Sequence, residues 1–220
     1  MNDMFSRYAV LAGVFTWGAA GLILPMIRHR LKTGDGTGFV LQQVTDPVGK
    51  AVGVAMTAQA LLVGSYAIAF AALGSDALDA FAWVPGWCAY VGVGAFALAI
   101  TICVTAQAQM GRSWRMCVDE GHTQLVSSGL FGVVRNPIYT ANLILLGGVL
   151  LVAPSPWSVM LLYAASVFLA IQTRLEEAHL RQMHGAEYAA YCARVGRFFP
   201  GVGLITAGPA MSAGVAEESR

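Results

Sequence analysis

Charged residues are scarce in this chain of 220 residues, where Lys, Arg, Asp and Glu together make up 11% and hydrophobic residues 57%. The mean hydropathy of +0.63 is higher than the surface of a soluble domain of this length can accommodate, which excludes an ordinary soluble protein. The formal net charge is only +1, so the chain has no overall attraction for nucleic acid and is not a typical DNA-binding protein. The composition places the chain in a lipid bilayer.

Common catalytic and metal-binding signatures are also missing. The cysteines form no C-x-x-C pair, and we interpret them as ordinary buried or interfacial thiols. They are Cys88, Cys103, Cys117 and Cys192. One Glu-x-x-His motif, Glu176 to His179, is present, whereas a di-iron helical bundle requires two. We expect no metal site, and the absence of a G-x-S-x-G elbow, a Walker loop and a G-x-G-x-x-G turn argues against hydrolases and nucleotide-binding folds.

Long apolar runs predict about five transmembrane helices, since a helix needs about 20 apolar residues to cross a bilayer. The runs cover residues 8–27, 51–73, 87–108, 138–153 and 156–172. The first run continues to Ile27 without a convincing small-residue cleavage site, so we expect a retained helix rather than a signal peptide. The last two runs are short and are joined by Pro-Ser-Pro at 154–156, which predicts a tight helical hairpin.

Basic residues predict the orientation. They cluster in the first connection, in the third connection and after the fifth run, whereas the connection 74–85 contains Asp76 and Asp79 and no Lys or Arg. The positive-inside rule then places the N-terminus outside, and both the 109–136 loop and the C-terminal segment in the cytoplasm. Two polar segments of the chain therefore face the same compartment.

The first polar segment runs from Met110 to Tyr139 and is interrupted by glycines that allow close backbone approach to a ligand. Pro137 suits the first turn of the fourth helix, whose free amides favour an anion. A plain connector with a helix-starting proline explains the same residues, and the sequence pattern alone leaves both interpretations open.

The second polar segment runs from Gln172 to Pro200. On a helix, Gln172, Glu176 and His179 share one face, while Arg174 and Glu177 lie on another. These faces can direct polar groups inward at the membrane edge. An interfacial amphipathic helix with aromatic anchors in the headgroup layer explains the same pattern.

Taken together, the two segments resemble the isoprenylcysteine carboxyl methyltransferases, and more distantly the phospholipid N-methyltransferases. The resemblance covers roughly residues 107–200. The residues that carry it are His122, Leu125-Val126, Gly129, Arg135, Pro137, Tyr139, Glu176-Glu177, Leu180, Gly185, Glu187-Tyr188, Tyr191, Val195, Arg197 and Pro200. The chain departs from the family pattern where Phe131 replaces a usual tyrosine, Asn136 a usual histidine, and Gln172 the arginine that binds a substrate carboxylate.

The resemblance implies S-adenosylmethionine as the methyl donor, bound in a cytoplasm-facing pocket. The residues it assigns to this cofactor are His122, Leu125, Val126, Phe131, Arg135, Asn136, Tyr139 and Glu176. We predict Gln172, Arg174 and Glu177 as the catalytic residues on the side of the methyl acceptor. With a carboxylate or thiolate acceptor Arg174 would be a positioning cation, whereas with an amine acceptor Glu176 or Glu177 would remove a proton.

We therefore predict an all-α, polytopic membrane bundle with a cytoplasmic cofactor pocket and a C-terminal interfacial helix. Residues 1–108 would form helices 1–3, residues 109–200 the methyltransferase core, and residues 201–220 a disordered tail. The expected partners are membrane lipids and a lipophilic acceptor, such as an isoprenylcysteine-like carboxylate, a phospholipid or a small thiol. A sterol-type reductase would need more helices, and a non-enzymatic scaffold or carrier would need ionisable groups near the bilayer midplane.

Overall fold

The structure is a computed structural model that describes residues 3–33, 47–110 and 125–205, and these residues fold into helices joined by short connections. The helices are α1 (Asp3–Gly18), α2 (Leu24–Thr33), α3 (Pro47–Leu73), α4 (Cys88–Met110), α5 (Pro137–Val152) and α6 (Pro156–Arg194), with a π-helical turn (Ala19–Ile23) between α1 and α2. The predicted all-α membrane bundle is confirmed. His122 lies outside the described residues.

Helix length separates the candidate membrane spans. Among the described residues, Asp3–Ile27, Lys50–Leu73, Cys88–Met110 and Pro156–Arg194 are long and apolar enough to cross a bilayer, whereas Pro137–Val152 is shorter. The predicted fifth span and C-terminal helix are one continuous helix, α6, because no proline or glycine interrupts it between Pro156 and Gly185. The helix bends at Gly185, whose φ is +51°. Glycine suits this position because a residue with a side chain rarely adopts a positive φ.

The hairpin between α5 and α6 is fixed by local hydrogen bonds and by α3. Ser155 caps α6, because its side chain accepts from the backbone N–H of Ser158 while the Ser158 hydroxyl accepts from the backbone N–H of Ser155. The Tyr66 hydroxyl of α3 donates to the carbonyl of Ala153 at 2.8 Å and lies 2.9 Å from the Ser155 hydroxyl. The sequence prediction of a tight turn at 154–156 is confirmed.

The connections gather at two ends of the bundle. The backbone N–H of Phe81 donates to the carbonyl of Pro154 at 2.7 Å, and the Arg7 guanidinium contacts Gly74. The start of α1, the connection 74–87 and the hairpin therefore share one end. The C-terminus of α5 is at the hairpin, so its first residue, Pro137, lies at the opposite end of the bundle together with residues 131–136.

The closest helix packing joins α4 and α5 through two glycines. A Cβ atom added at Gly92 would lie 2.8 Å from the carbonyl oxygen of Gly148 and 2.6 Å from a methyl group of Val152. Gly92 and Gly148 therefore let the two backbones approach to a distance that any side chain would prevent.

Substitution of Gly92 by Ala should lower the stability of the folded bundle by about 1–3 kcal/mol, because the new methyl group overpacks the α4–α5 contact. Gly94→Ala is the matched control, since nothing lies within 4 Å of a Cβ at that position. Unfolding midpoints of both variants in detergent micelles test the prediction, and equal midpoints for the two would refute the close contact.

Candidate functional site

A cleft opens at the end of the bundle opposite the α5–α6 hairpin. It contains about 710 Å³ of empty space, part of which is open solvent. The π-helical turn after α1 and the helices α3, α4, α5 and α6 contribute to its wall. The lining residues are Gly21, Leu22, Met56, Gln107, Met110, Phe131, Arg135, Asn136, Pro137, Ile138, Tyr139 and Glu176.

A short parallel backbone pairing joins the two polar segments beside this cleft. Val134 and Gly196 form a β-bridge, and the backbone N–H of Arg135 donates to the carbonyl of Gly196 at 2.8 Å. The backbone N–H of Asn136 donates to the carbonyl of Arg197 at 3.1 Å. The start of α5 is therefore attached to the chain that follows α6, although some 60 residues separate them in sequence.

A buried ionic cluster lies behind the pairing. The Glu177 carboxylate accepts from Arg135 Nη2 at 2.9 Å and from Arg197 Nη2 at 2.7 Å. The side chains of Arg135 and Glu177 are only 1% and 6% exposed, so both charges are removed from water and depend on each other. The hydrogen bond to Glu177 raises the pKa of Arg197, so this second cation keeps its charge.

Arg135 uses all its guanidinium N–H groups within the protein. Its Nε and Nη2 atoms both donate to the Glu177 carboxylate. Its Nη1 atom donates to the carbonyls of Cys192 and Val195. The second N–H group of Nη2 donates to the carbonyl of Gly203 at 3.0 Å. Because no donor is left over, the guanidinium anchors the chain after α6 in this structure. Arg135 also lines the cleft. Its predicted role in cofactor binding stays a prediction.

Glu176 and Tyr139 form the polar centre of the cleft. The Tyr139 hydroxyl donates to Glu176 Oε2 at 2.9 Å, and both residues line the cavity. Successive helical residues are rotated by about 100°, so Glu176 faces the cleft while Glu177 points into the ionic cluster. The structure thus brings together two of the eight residues that the resemblance assigned to the donor.

Other predicted cofactor residues lie in or near the same region. Asn136 lines the cleft and its amide donates to the carbonyl of Arg197 at 3.3 Å, whereas Phe131 lines the cleft and its carbonyl accepts the Tyr191 hydroxyl at 2.6 Å. Leu125 packs against a small buried cluster of Tyr188, Tyr191, Cys192 and Val195. Val126 is half-buried and is not part of the cleft wall.

The residues predicted to face the acceptor separate in the structure. Arg174 is exposed, Gln172 is half-buried with a side-chain oxygen that has no hydrogen-bond partner, and Glu177 is held between two arginines. None of the three lines the cleft. Among the described residues, no group of three or more His, Cys, Asp or Glu side chains is arranged to hold a metal ion.

The part of the wall that comes from the N-terminal helices was not predicted from the sequence. Gly21, Leu22 and Met56 belong to apolar runs whose periodicity gives no sign of a cavity. Gln107 gives the one available signal, as a polar amide inside an apolar run. In the structure its Nε2 atom donates to the Gly21 carbonyl at 2.8 Å.

Replacement of Glu177 by Gln should destabilise the protein by about 3–5 kcal/mol, because it leaves the buried Arg135 without a counter-charge. Glu187→Gln on the same helix is the control, since Glu187 is exposed and its replacement should leave the unfolding midpoint nearly unchanged. Thermal unfolding in detergent compares the two variants, and a wild-type midpoint for Glu177→Gln would show that the cluster has no structural role.

Comparison with known proteins identifies the region that contains this site. Residues 87–187 match the family model described as phospholipid methyltransferase, a family related to the isoprenylcysteine carboxyl methyltransferases. The matched range includes α4, α5 and most of α6, and with them Tyr139, Glu176 and Glu177. No curated protein matches the chain. The resemblance inferred from the two polar segments is confirmed over this range: the chain is a helical membrane protein whose residues 87–187 match the phospholipid methyltransferase family.

Proposed function

We propose that this protein transfers a methyl group from S-adenosylmethionine to a lipophilic acceptor at the membrane surface. The observation that supports the proposal most directly is the Tyr139–Glu176 pair, which faces the cleft and lies within the family-matched region. When bound, S-adenosylmethionine supplies an electrophilic methyl group on a sulfonium centre. All other steps concern how the residues of the cleft bind, orient and shield the two partners.

The cleft suits this donor in charge and in the character of its walls. Glu176 offers a carboxylate to the donor's ammonium group, and the Tyr139 hydroxyl fixes the orientation of that carboxylate through its 2.9 Å hydrogen bond. Phe131 and Ile138 add apolar wall beside this pair, as expected where a nucleoside packs against protein. Residues 136–139 therefore position the polar end of the donor, while their neighbours exclude water from it.

Orientation and exclusion of water supply the rate enhancement that this architecture allows. Holding donor and acceptor in line turns a bimolecular encounter into an effectively unimolecular one. With a neutral amine as acceptor, the nitrogen lone pair forms the new N–CH₃ bond as the S–CH₃ bond breaks, so the positive charge passes from sulfur to nitrogen and the donor leaves as a thioether. With a carboxylate or thiolate, transfer from the sulfonium neutralises charge, and a site that excludes water accelerates it. The apolar residues of the π-helical turn, α3 and α4 line the cleft and limit the access of water.

The charges around the cleft favour an amine over a carboxylate as the acceptor group. Arg135 and Arg197 are neutralised by Glu177, Arg174 is exposed outside the cleft, and position 172 carries Gln rather than Arg. Within the described residues, no free cation lines the cavity to bind a carboxylate acceptor, and the Glu176 carboxylate is assigned to the donor. An amine acceptor, such as that of a phospholipid headgroup, is therefore the acceptor class we propose, with an isoprenylcysteine-like carboxylate or a small thiol as the alternatives.

Glu176→Ala should weaken the binding of S-adenosylhomocysteine by about tenfold or more, because a buried charge-assisted hydrogen bond to the ligand is lost. The unfolding midpoint should change little, since Glu176 lies outside the ionic cluster. Calorimetric titration of the purified protein in detergent measures the affinity.

Asp76→Ala provides the control for this titration, because it removes the same charge from an exposed position at the opposite end of the bundle. Its affinity should equal that of the wild type. If Glu176→Ala bound S-adenosylhomocysteine with wild-type affinity, the ligand's ammonium group would have to be bound by another residue. If the folded wild type showed no saturable binding, the proposed cofactor would be refuted.

We further propose that the cleft faces the cytoplasm, as the distribution of basic residues predicts. The connection 74–87 then lies outside, at the opposite end of the bundle. Alkaline phosphatase fused after Asp79 should be active in a bacterial host, whereas the same enzyme fused after Ile205 should be inactive. The reverse pattern of activities would invert the orientation.

A further inference from the structure

The end of the bundle opposite the cleft carries a group of exposed aromatic side chains. Its members, which we call the aromatic end surface, are Phe5, Tyr8, Trp83, Trp87, Tyr90 and Trp157. Trp83 is the most exposed of them at 78%, and Trp87 is 65% exposed. An exposed group of large apolar side chains marks a surface that contacts a membrane or another protein.

The aromatic end surface lies where three helices of spanning length begin. Phe5 is in the first turn of α1, Tyr90 in the first turn of α4 and Trp157 in the first turn of α6. The ring centroids of Phe5 and Tyr90 are 5.1 Å apart, which joins α1 to α4 at this level. Further along α4 exposed side chains are aliphatic, as at Leu98 and Val104. A change from aromatic to aliphatic side chains along a span is typical of the boundary between headgroups and hydrocarbon.

The connection 74–87 lies against the bundle rather than extending away from it. The backbone N–H of Phe81 donates to the carbonyl of Pro154 in the hairpin at 2.7 Å, and Leu78 packs against the main hydrophobic core. The ring of Trp83 stacks on that of Phe81, with the centroids 5.7 Å apart and an angle of 23° between the ring planes. Trp83 therefore has a defined place at the edge of the bundle although most of its surface is exposed.

The charges at this end offer no attraction to anionic lipids. The connection 74–87 contains Asp76 and Asp79 and no Lys or Arg, and Arg7 at the start of α1 is paired with Asp3. Attraction of basic residues to lipid phosphates, a common way of holding a segment at a membrane, is therefore not what would hold this connection. Indole rings combine a large apolar body with an N–H donor, and this combination favours the headgroup layer.

We propose that the aromatic end surface sits in the lipid headgroup layer of the bilayer and holds the connection 74–87 flat within that layer. The partner is the headgroup region itself, which the rings contact with their apolar faces while the Trp N–H groups donate to lipid oxygens. The inference concerns the end of the bundle that takes no part in the proposed methyl transfer. It holds whichever compartment the cleft faces.

The test measures the depth of Trp83 in the membrane by fluorescence quenching. Of the five tryptophans in the chain, all but Trp83 are replaced by Phe, and the protein is reconstituted into phosphatidylcholine vesicles whose acyl chains carry bromine either near the headgroup or near the methyl end. Bromine near the headgroup should quench Trp83 more strongly than bromine near the methyl end. A second variant that retains only Trp87 is an independent reporter and should give the same order.

Leu62→Trp in a chain without other tryptophans is the matched control, because Leu62 is 60% exposed in the middle of the span Lys50–Leu73. Its quenching should have the reverse order. High salt should leave the quenching of Trp83 unchanged, since salt screens ionic attraction and not aromatic contact. Quenching of Trp83 and Trp87 by aqueous iodide but by neither brominated lipid would overturn the inference. Protection of both residues that increases with the ratio of protein to lipid would also overturn it, by assigning the surface to a second copy of the chain.

Discussion

The carboxylate of Glu177, held between Arg135 and Arg197, connects parts of the chain that are far apart in sequence. Through Arg135 it fixes the start of α5, and through Arg197 it fixes the segment after α6. Arg135 extends the connection to the carbonyl of Gly203. Since buried charges are tolerated only when they are paired and hydrogen bonded, this cluster gives the end of the bundle a defined arrangement, and the geometry of the cleft follows from it.

Two consecutive glutamates therefore have different tasks. Helical rotation turns Glu177 toward the arginines and Glu176 toward the cleft, where Tyr139 orients it. The first carboxylate stabilises the framework, and we assign the second to ligand binding. This division explains why a membrane protein of low charge content retains adjacent acidic residues, which would be costly in hydrocarbon without such partners.

The parts of the fold that depend on local chemistry could be predicted from the sequence. Hydropathy, the turn at 154–156 and the helix start at Pro137 were correctly predicted, because each depends on neighbouring residues. The hydrogen-bond partners of Arg135 and the wall formed by Gly21 and Met56 were not predicted. They depend on which helices pack together across long sequence separations, and a uniformly apolar run does not reveal which of its faces meets a cavity. The order of the two polar segments did predict that Tyr139 and Glu176 would meet.

The central claim is that the start of α5 and the middle of α6 together enclose one methyl donor. The most direct measurement is an experimental structure of the full chain in the presence of S-adenosylhomocysteine. We expect ligand density in the cleft between Tyr139 and Glu176, with the donor's ammonium group next to the Glu176 carboxylate. Density at another location, or an empty cleft at saturating ligand, would contradict the account.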